Sequence, residues 1–380
     1  MRLRGALANG GLAAAAVLAS LGIGEALVRA FDVGPRFQVV FRESLQPSVD
    51  PVLDYELRPS APDGRERISA AGLRDRDFAV PKPAGVFRIA AIGDSVTYGS
   101  GVSRELGWTA QLVARLAALA VPGGAPIEVL NLGVPGYNIS QVVERLRVSG
   151  LPFDPDVVVY GYVLNDPQAF SLEGAALRDL REAAVPRAGR LAHWLSHSRL
   201  YLIARALLAA PPRAPKGRDL PSDPAYAASQ GSDRDAYFRA LHRDGDSEKR
   251  LEQGMAALAG LAREHDARVL VAIFPLFDAT GVDASLADVH AEIAALAQAS
   301  GFHVVDLLPA YQAASAALRR PLRIDFLHPS PFGHRVAAVA ILDALCRSGW
   351  LPPGAVDCAR AAGDPIDEEI SRALARAQAR

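Results

Sequence analysis

The stretch VFRIAAIGDSVTYG, residues 86–99, decides the fold of the chain. Its first half is a short apolar run, which is typical of a strand buried on both faces of a sheet. The run ends at Gly93, and Ser95 follows at the start of the next segment. A serine in this place either caps a helix or acts as a nucleophile, and the local residues leave both interpretations open.

Strand-like and helix-like segments alternate along the chain beyond this stretch. Apolar runs of strand length occur at 87–92, 127–132, 156–163, 268–274 and 303–308. Segments with a helical period separate or follow them at 105–120, 140–150, 247–265, 284–300 and 331–347. Such alternation favours right-handed βαβ units. The sequence therefore predicts an α/β fold with a parallel five-stranded sheet that helices cover on both faces.

The composition limits the classes of partner. The chain has 380 residues, and its 41 Lys and Arg residues are balanced by 42 Asp and Glu residues. No basic field is therefore available to hold nucleic acid. The histidines other than His328 and His334 show no metal-ligand spacing, so we expect no metal. The two cysteines, Cys346 and Cys358, form either a disulfide or two independent thiols, and neither state involves catalysis.

The first thirty residues carry a membrane signal. Residues 5–24 contain no charged side chain, and Arg2 and Arg4 precede them. An apolar helix of about 20 residues spans a bilayer, and positive charges before it favour a cytoplasmic N-terminus. We therefore expect residues 1–31 to be a single-pass anchor that places the body of the protein outside the cytoplasm. A cleaved signal peptide and a buried soluble helix are the alternatives.

The rest of the chain divides by its composition and its pattern. Residues 32–85 are rich in Pro, Asp and Arg, which predicts an extended stalk that lies against the domain. Residues 86–350 form the predicted α/β domain, and residues 351–380 form a tail. Within the domain, residues 167–246 are a predicted helical insertion, with a helix-like segment at 191–210, that interrupts the strand–helix alternation. This insertion is interpreted as a lid, as structural packing or as a membrane-surface contact.

Polar residues follow four of the predicted strands at or beyond their carboxyl ends, where open α/β sheets bind ligands. The four segments are, in chain order, Gly93-Asp94-Ser95, Asn131-Leu132-Gly133, Asn165-Asp166 and Asp325-Phe326-Leu327-His328. Because the carboxyl ends of parallel strands share one edge of a sheet, we expect these segments to converge on one site.

The residue types in these segments predict nucleophilic catalysis. The hydroxyl of Ser95 needs a base, for which His328 is the candidate, and Asp325 can orient the imidazole from three residues away. The N–H groups of Ser95 and Gly133 and the side-chain amide of Asn165 are the predicted oxyanion donors. A helix cap, a packing histidine, a turn glycine and a loop-ordering amide are the plainer alternatives. Asp94, Asp166 and His334 are interpreted as structural.

The chain resembles the SGNH hydrolase family, also called GDSL esterases and lipases, whose four sequence blocks contribute serine, glycine, asparagine and histidine. The four segments match these blocks in order, across residues 86–347. Two details differ: Val96 stands where leucine is usual, and Gly161 lies four residues before Asn165 instead of two. The resemblance is closest to membrane-anchored bacterial members that carry an insertion after the asparagine block.

This resemblance implies a flavodoxin-like, three-layer α/β/α fold and a triad of Ser95, His328 and Asp325, without cofactor or metal. We therefore expect a serine esterase of the bacterial inner membrane whose catalytic domain lies in the periplasm. It would hydrolyse an O-acyl ester of an envelope glycan or lipid through an acyl-enzyme. The alternatives are an O-acyltransferase for exported polysaccharide, a catalytically silent binding module, and a form secreted after signal cleavage.

Overall fold

The computed structural model describes residues 20–24, 26–27, 44–63, 66–169, 234–278, 281–318, 320–359 and 365–378. The chain divides into two units, and the elements named below belong to the unit of Ser44–Gly174 and Arg218–Arg380. Among the described residues, no helix has the length and apolar character to cross a membrane. The predicted span 5–24, except residues 20–24, and most of the insertion 167–246 lie outside the described residues.

Two small antiparallel strand pairs precede the main sheet. Strands β1 (Leu45–Pro47) and β2 (Tyr55–Leu57) form one pair, and β3 (Pro62–Asp63) and β4 (Glu66–Arg67) form the other. Leu53 and several other apolar side chains of this part are fully buried. Residues 44–85 therefore contribute to the core as well as to the surface.

The five strands of the main sheet are β5 (Phe87–Gly93), β6 (Ile127–Asn131), β7 (Val157–Tyr162), β8 (Arg268–Ile273) and β9 (His303–Asp306). Their order is β6-β5-β7-β8-β9, and every neighbouring pair is parallel. The predicted parallel five-stranded sheet is confirmed. Strands β6, β5 and β7 are neighbours and run in the same direction. Their carboxyl ends therefore lie side by side at one edge of the sheet.

The helices are α1 (Ser95–Tyr98), α2 (Trp108–Ala118), α3 (Ile139–Arg145), α4 (Arg234–Arg243), α5 (Gly245–Glu264), α6 (Ala287–Ala299), α7 (Leu308–Leu318), α8 (Pro331–Ser348) and α9 (Pro365–Gln378). Helices α2, α7 and α8 pack with one face of the sheet in a single apolar cluster. Helix α3 packs on α5, and α6 contacts β8 and β9. The pattern did not predict α7 or α9, nor α4, which lies in the insertion.

A disulfide and two hydrogen bonds join loops of this unit to neighbouring segments. A disulfide joins Cys346, near the end of α8, to Cys358. The loop that it closes also pairs with the chain after α2, through the hydrogen bond from Val121 N–H to the Ala355 carbonyl. The carboxylate of Asp75 accepts a hydrogen bond of 3.1 Å from the backbone N–H of Asn131, at the end of the outer strand β6.

Candidate active site

The turn after β5 presents Ser95 at the edge of the sheet. The strand ends at Gly93 with φ +150°, where a Cβ would lie 2.7 Å from the carbonyl oxygen of Gly161. Only glycine fits this turn, because a side chain there would meet the backbone of β7. Asp94 caps α1, since its Oδ1 accepts a hydrogen bond of 2.9 Å from Val96 N–H. Ser95 is thus the first helical residue and is 7 % exposed.

Ser95, His328 and Asp325 form a continuous hydrogen-bonded chain. Ser95 Oγ lies 2.9 Å from His328 Nε2, and His328 Nδ1 lies 2.8 Å from Asp325 Oδ2. A carboxylate can only accept a hydrogen bond, so Nδ1 carries the proton in the neutral ring. The lone pair of Nε2 then faces the serine hydroxyl. This tautomer is the one that can take a proton from Ser95.

The loop that carries the acid and the base is held by its own backbone. Asp325 Oδ1 accepts hydrogen bonds of 2.8 Å from both Leu327 N–H and His328 N–H. The loop is closed by a bond from Ile324 N–H to the His328 carbonyl. Partial burial would raise the pKa of Asp325, but the hydrogen bond and charge of His328 and the two backbone donors lower that pKa to about 2. Asp325 is therefore ionised at neutral pH.

Two predicted oxyanion donors lie beside the serine. The backbone N–H of Ser95 donates to no other described group. Asn165 Nδ2 donates one hydrogen bond of 3.1 Å to Asp94 Oδ2, which leaves its second N–H for another acceptor. Asp94 thus connects the asparagine loop to the nucleophile turn. These donors can stabilise negative charge that develops next to Ser95 Oγ.

The third predicted donor, Gly133, lies in the loop after β6. Its N–H donates a hydrogen bond of 3.0 Å to Asn131 Oδ1, and a Cβ at Gly133 would overlap Tyr98 N. Gly133 therefore allows the β6 loop to pack closely on α1. Gly136 in the same loop is half-buried, has φ +77°, and donates its N–H to none of the described residues.

Comparison with known proteins identifies the family. The model described as "GDSL-like Lipase/Acylhydrolase family" matches residues 91–336, which is more than half of the chain. The chain belongs to this family. It is therefore an ester hydrolase of the GDSL type, as the sequence resemblance implied. None of the curated proteins is similar enough to match the GDSL-like hydrolase.

Several solved structures are similar to the GDSL-like hydrolase at low identity. The acetyl xylan esterase AlAXEase is 16 % identical, with 68 % of this chain and 100 % of that chain covered and a TM-score of 0.41. LAE5, from the metagenome of Lake Arreo in Spain, is 20 % identical over 70 % and 96 % of the two chains, with a TM-score of 0.38. The esterase EstA from Pseudoalteromonas sp. is 14 % identical over 69 % and 97 %, with a TM-score of 0.37.

Two carboxyl groups in the loops of the site, those of Asp94 and Asp166, are fully buried. Burial raises the pKa of Asp94, although its hydrogen bonds from Val96 and Asn165 act in the opposite direction. Burial and the nearby Asp94 also raise the pKa of Asp166, whose Oδ2 accepts a hydrogen bond of 2.6 Å from the Tyr160 hydroxyl. The charge of His328 also acts to lower the pKa of Asp94. Asp94 accepts a hydrogen bond from Asn165, and Asp166 accepts one of 3.3 Å from Val163 N–H, so both carboxyl groups order the loops.

His334 takes no part in this chain of hydrogen bonds. His334 is fully buried at the start of α8, and burial lowers its pKa to about 3, so the ring is neutral. Its ring nitrogens have no hydrogen-bond partner within the described ranges. No group of three His, Cys, Asp or Glu side chains in the described part of the chain is arranged to hold a metal ion.

Proposed function

We propose that the chain is a serine esterase that hydrolyses a carboxylic O-acyl ester through an acyl-enzyme. The observation that carries the proposal is the hydrogen-bonded chain from Ser95 through His328 to Asp325, with distances of 2.9 Å and 2.8 Å. A hydroxyl within 2.9 Å of a correctly protonated imidazole has the geometry that general-base activation requires.

The proposed reaction has two halves, and in each half His328 first accepts a proton and then returns it. Ser95 Oγ attacks the ester carbonyl while His328 Nε2 takes its proton, and Asp325 stabilises the imidazolium. The tetrahedral intermediate collapses, the C–O bond to the alcohol breaks, and the imidazolium protonates the leaving oxygen. Water then repeats the sequence on the acyl-enzyme, which releases the acid and restores the hydroxyl.

The negative oxygen of each intermediate would be held by the three donors expected from the sequence. We assign these to the N–H of Ser95, the second N–H of Asn165 Nδ2 and the N–H of Gly133. The Gly133 N–H is bonded to Asn131 Oδ1 at 3.0 Å, so it would exchange this acceptor for the oxyanion. Removing one such donor usually costs on the order of 10²-fold or more in kcat.

Substitution of the nucleophile tests the proposal. Ser95→Ala should abolish hydrolysis of p-nitrophenyl acetate and labelling by a fluorophosphonate probe, while the circular dichroism spectrum stays unchanged. Ser103→Ala is the matched control, since this exposed serine bonds only to Glu105 on the surface. Turnover of Ser95→Ala at the rate of the control would refute the mechanism. A wild-type protein that no probe labels would favour the silent binding module.

The acceptor of the acyl group is a separate part of the proposal. The same triad could pass the acyl group to a sugar hydroxyl, which would make the chain an O-acyltransferase. We propose water as the acceptor and an ester of an envelope glycan or lipid as the substrate. Wild-type protein given an acetyl ester and an excess of xylo-oligosaccharide should release free acetate. Acetylated oligosaccharide as the main product would identify the transferase instead.

We also propose that the catalytic domain lies outside the cytoplasm of a bacterial cell, anchored to the inner membrane by residues 5–24. The uncharged stretch after Arg2 and Arg4 supports this location. The Cys346–Cys358 disulfide supports it too, because disulfides persist mainly in oxidising compartments. Membrane fractionation, with the intact mass of the recovered chain, tests the proposal. A soluble periplasmic chain that lacks its first residues would indicate a cleaved signal.

A further inference from the structure

We propose that Arg74, which lies outside the four family blocks, is a positioning residue that holds the nucleophile turn in its reactive geometry. The inference rests on the proposed function of Ser95 and extends it to the segment before the sheet. Arg74 follows the two small strand pairs and is 6 % exposed, which is unusual for a charged side chain. Its contacts explain why it is buried.

The guanidinium of Arg74 donates hydrogen bonds to three backbone carbonyls that follow Ser95 in the chain. Nη1 donates to the carbonyl of Tyr98 at 2.7 Å and to that of Gly99 at 3.0 Å, and Nη2 donates to that of Val102 at 2.9 Å. The last carbonyls of a helix have no partner within it and must be satisfied from outside. Arginine suits this task, because it carries five N–H donors in a rigid planar fork.

The carbonyls that Arg74 holds are coupled directly to the nucleophile. Helix α1 is a single turn of four residues, and both Gly99 N–H and Ser100 N–H donate to the Ser95 carbonyl at 2.9 Å. Gly99 adopts φ +87°, and a Cβ there would lie 2.8 Å from Arg74 Nη1. The glycine therefore permits both the left-handed turn and the approach of the guanidinium. A shift of this turn would move Ser95 relative to His328.

A second contact fixes Arg74 itself. Asp63 accepts a hydrogen bond of 2.7 Å from Arg74 Nε and one of 2.8 Å from the Tyr98 hydroxyl. The guanidinium carbon also lies 4.3 Å from the centre of the Tyr98 ring, which is a cation–π contact. The buried positive charge is thus paired and stacked. Asp63, Arg74 and Tyr98 form one rigid group that spans the N-terminal segment and the nucleophile turn.

The test compares Arg74 with a second buried arginine, which binds the N-terminal segment at Gly72 and not the nucleophile turn. Arg74→Lys keeps the charge but loses the fork. Arg145→Lys is the matched control, because Arg145 donates to the Gly72 carbonyl at 2.5 Å and to Ser149 Oγ at 2.8 Å but makes no hydrogen bond to the nucleophile turn. Both variants are assayed as the full chain with p-nitrophenyl acetate and a fluorophosphonate probe, and their melting temperatures are measured.

We expect Arg74→Lys to lower kcat by roughly 10- to 100-fold, because a misplacement of about 1 Å at a reacting group costs up to 10²-fold. KM should change less than about threefold, and the rate of fluorophosphonate labelling should fall in parallel with kcat. The pH dependence of the residual rate should stay unchanged, since the bonds between His328 and Asp325 are untouched. Arg145→Lys should keep the wild-type kcat even where its melting temperature falls as far.

Three outcomes would overturn the inference: a wild-type kcat and labelling rate in Arg74→Lys, an equal loss of kcat in Arg145→Lys, or a loss that appears in KM alone. If Arg74→Lys does not fold, Tyr98→Phe decides, because it removes only the hydroxyl bonded to Asp63. It should lower kcat at least threefold at constant KM, and an unchanged kcat would refute the inference. Failure of the proposed function itself is distinguishable, since Ser95→Ala would then match the wild type.

Discussion

The role of Asp325 can be tested by a change of one atom. Asp325→Asn removes the charge but keeps Oδ1, which can still accept the two backbone N–H groups that shape the loop. The amide of the new residue would face His328 Nδ1, 2.8 Å away, and would donate to it. The imidazole proton would then move to Nε2. In that tautomer the ring cannot accept the proton of Ser95.

Two effects add to the expected loss. The carboxylate and an imidazolium with charge centres about 4 Å apart attract by about 4 kcal/mol at an effective dielectric constant of ~20, and exposure of Asp325 screens part of this. The wrong tautomer adds a second cost, so we expect kcat to fall by roughly 10³- to 10⁴-fold, or about 4–5.5 kcal/mol. KM should change little, because the carboxylate acts through the ring. Steady-state hydrolysis of p-nitrophenyl acetate measures both constants.

The chain provides a matched control in a second histidine–aspartate pair. His290 Nδ1 lies 2.7 Å from Asp306 Oδ1, which also accepts the backbone N–H of Leu308, in an arrangement close to that of the catalytic loop. Asp306→Asn changes the same chemistry away from Ser95 and should leave kcat within about twofold of the wild type. A loss below tenfold in Asp325→Asn, or an equal loss in both variants, would refute the argument.

Three further variants test the packing around the site and the stability of the domain. The double change Cys346→Ser with Cys358→Ser should lower the free energy of unfolding by about 3 kcal/mol, since it reopens a short loop, and should leave kcat unchanged in urea titrations followed by assay. Gly161→Ala would push its Cβ into Thr97 Oγ1 and should cost about 1–3 kcal/mol together with part of kcat. Burial lowers the pKa of His242 to about 4 in the folded chain. As the pH drops from about 6.5 towards 4, the unfolded chain binds a proton at this ring that the folded chain does not bind, so the free energy of unfolding falls. His242→Gln should reduce this fall by up to about 2 kcal/mol in unfolding measurements at pH 7.5 and pH 5.

Each of these variants has its own control or contrary result. The disulfide variant is compared with wild-type protein in a reducing agent, and equal stability of oxidised wild type and variant would contradict the expectation. Gly260→Ala serves beside Gly161→Ala, because no atom lies within 4 Å of the added Cβ, and it should be neutral or stabilising. A pH profile of His242→Gln that parallels the wild type would show that this ring does not control acid stability.

Much of the fold was readable from the pattern of apolar residues. The five strands and their parallel arrangement follow from short apolar runs separated by helical segments, and their bounds differ from the prediction by one or two residues. Helix α7 was missed because the last strand was extended to Leu308, although Pro309 and the alanines after it suit a helix start. Strand and helix meet there within two residues.

The candidate site was predictable in its residue types and less so in its backbone donors. The structure brings Ser95, His328 and Asp325 together, as the segments suggested. Which glycine has an unused N–H depends on the side chain of Asn131, and such a contact has no sequence period. For the same reason, nothing in the pattern of the N-terminal segment indicated that Arg74 would reach the carbonyls after Ser95.

The hydrogen bond between Asp75 and Asn131 has a consequence for shortened forms of the chain. The outer strand β6 has an unpaired side, and such a side can pair with the same strand of another molecule. Asp75 occupies one N–H of that side, and Arg76 bonds to Glu128 on the same strand. A chain truncated to begin at residue 86 would lose both covers, so we expect it to aggregate by intermolecular strand pairing. Light scattering should show a monodisperse species only when residues 44–85 are kept.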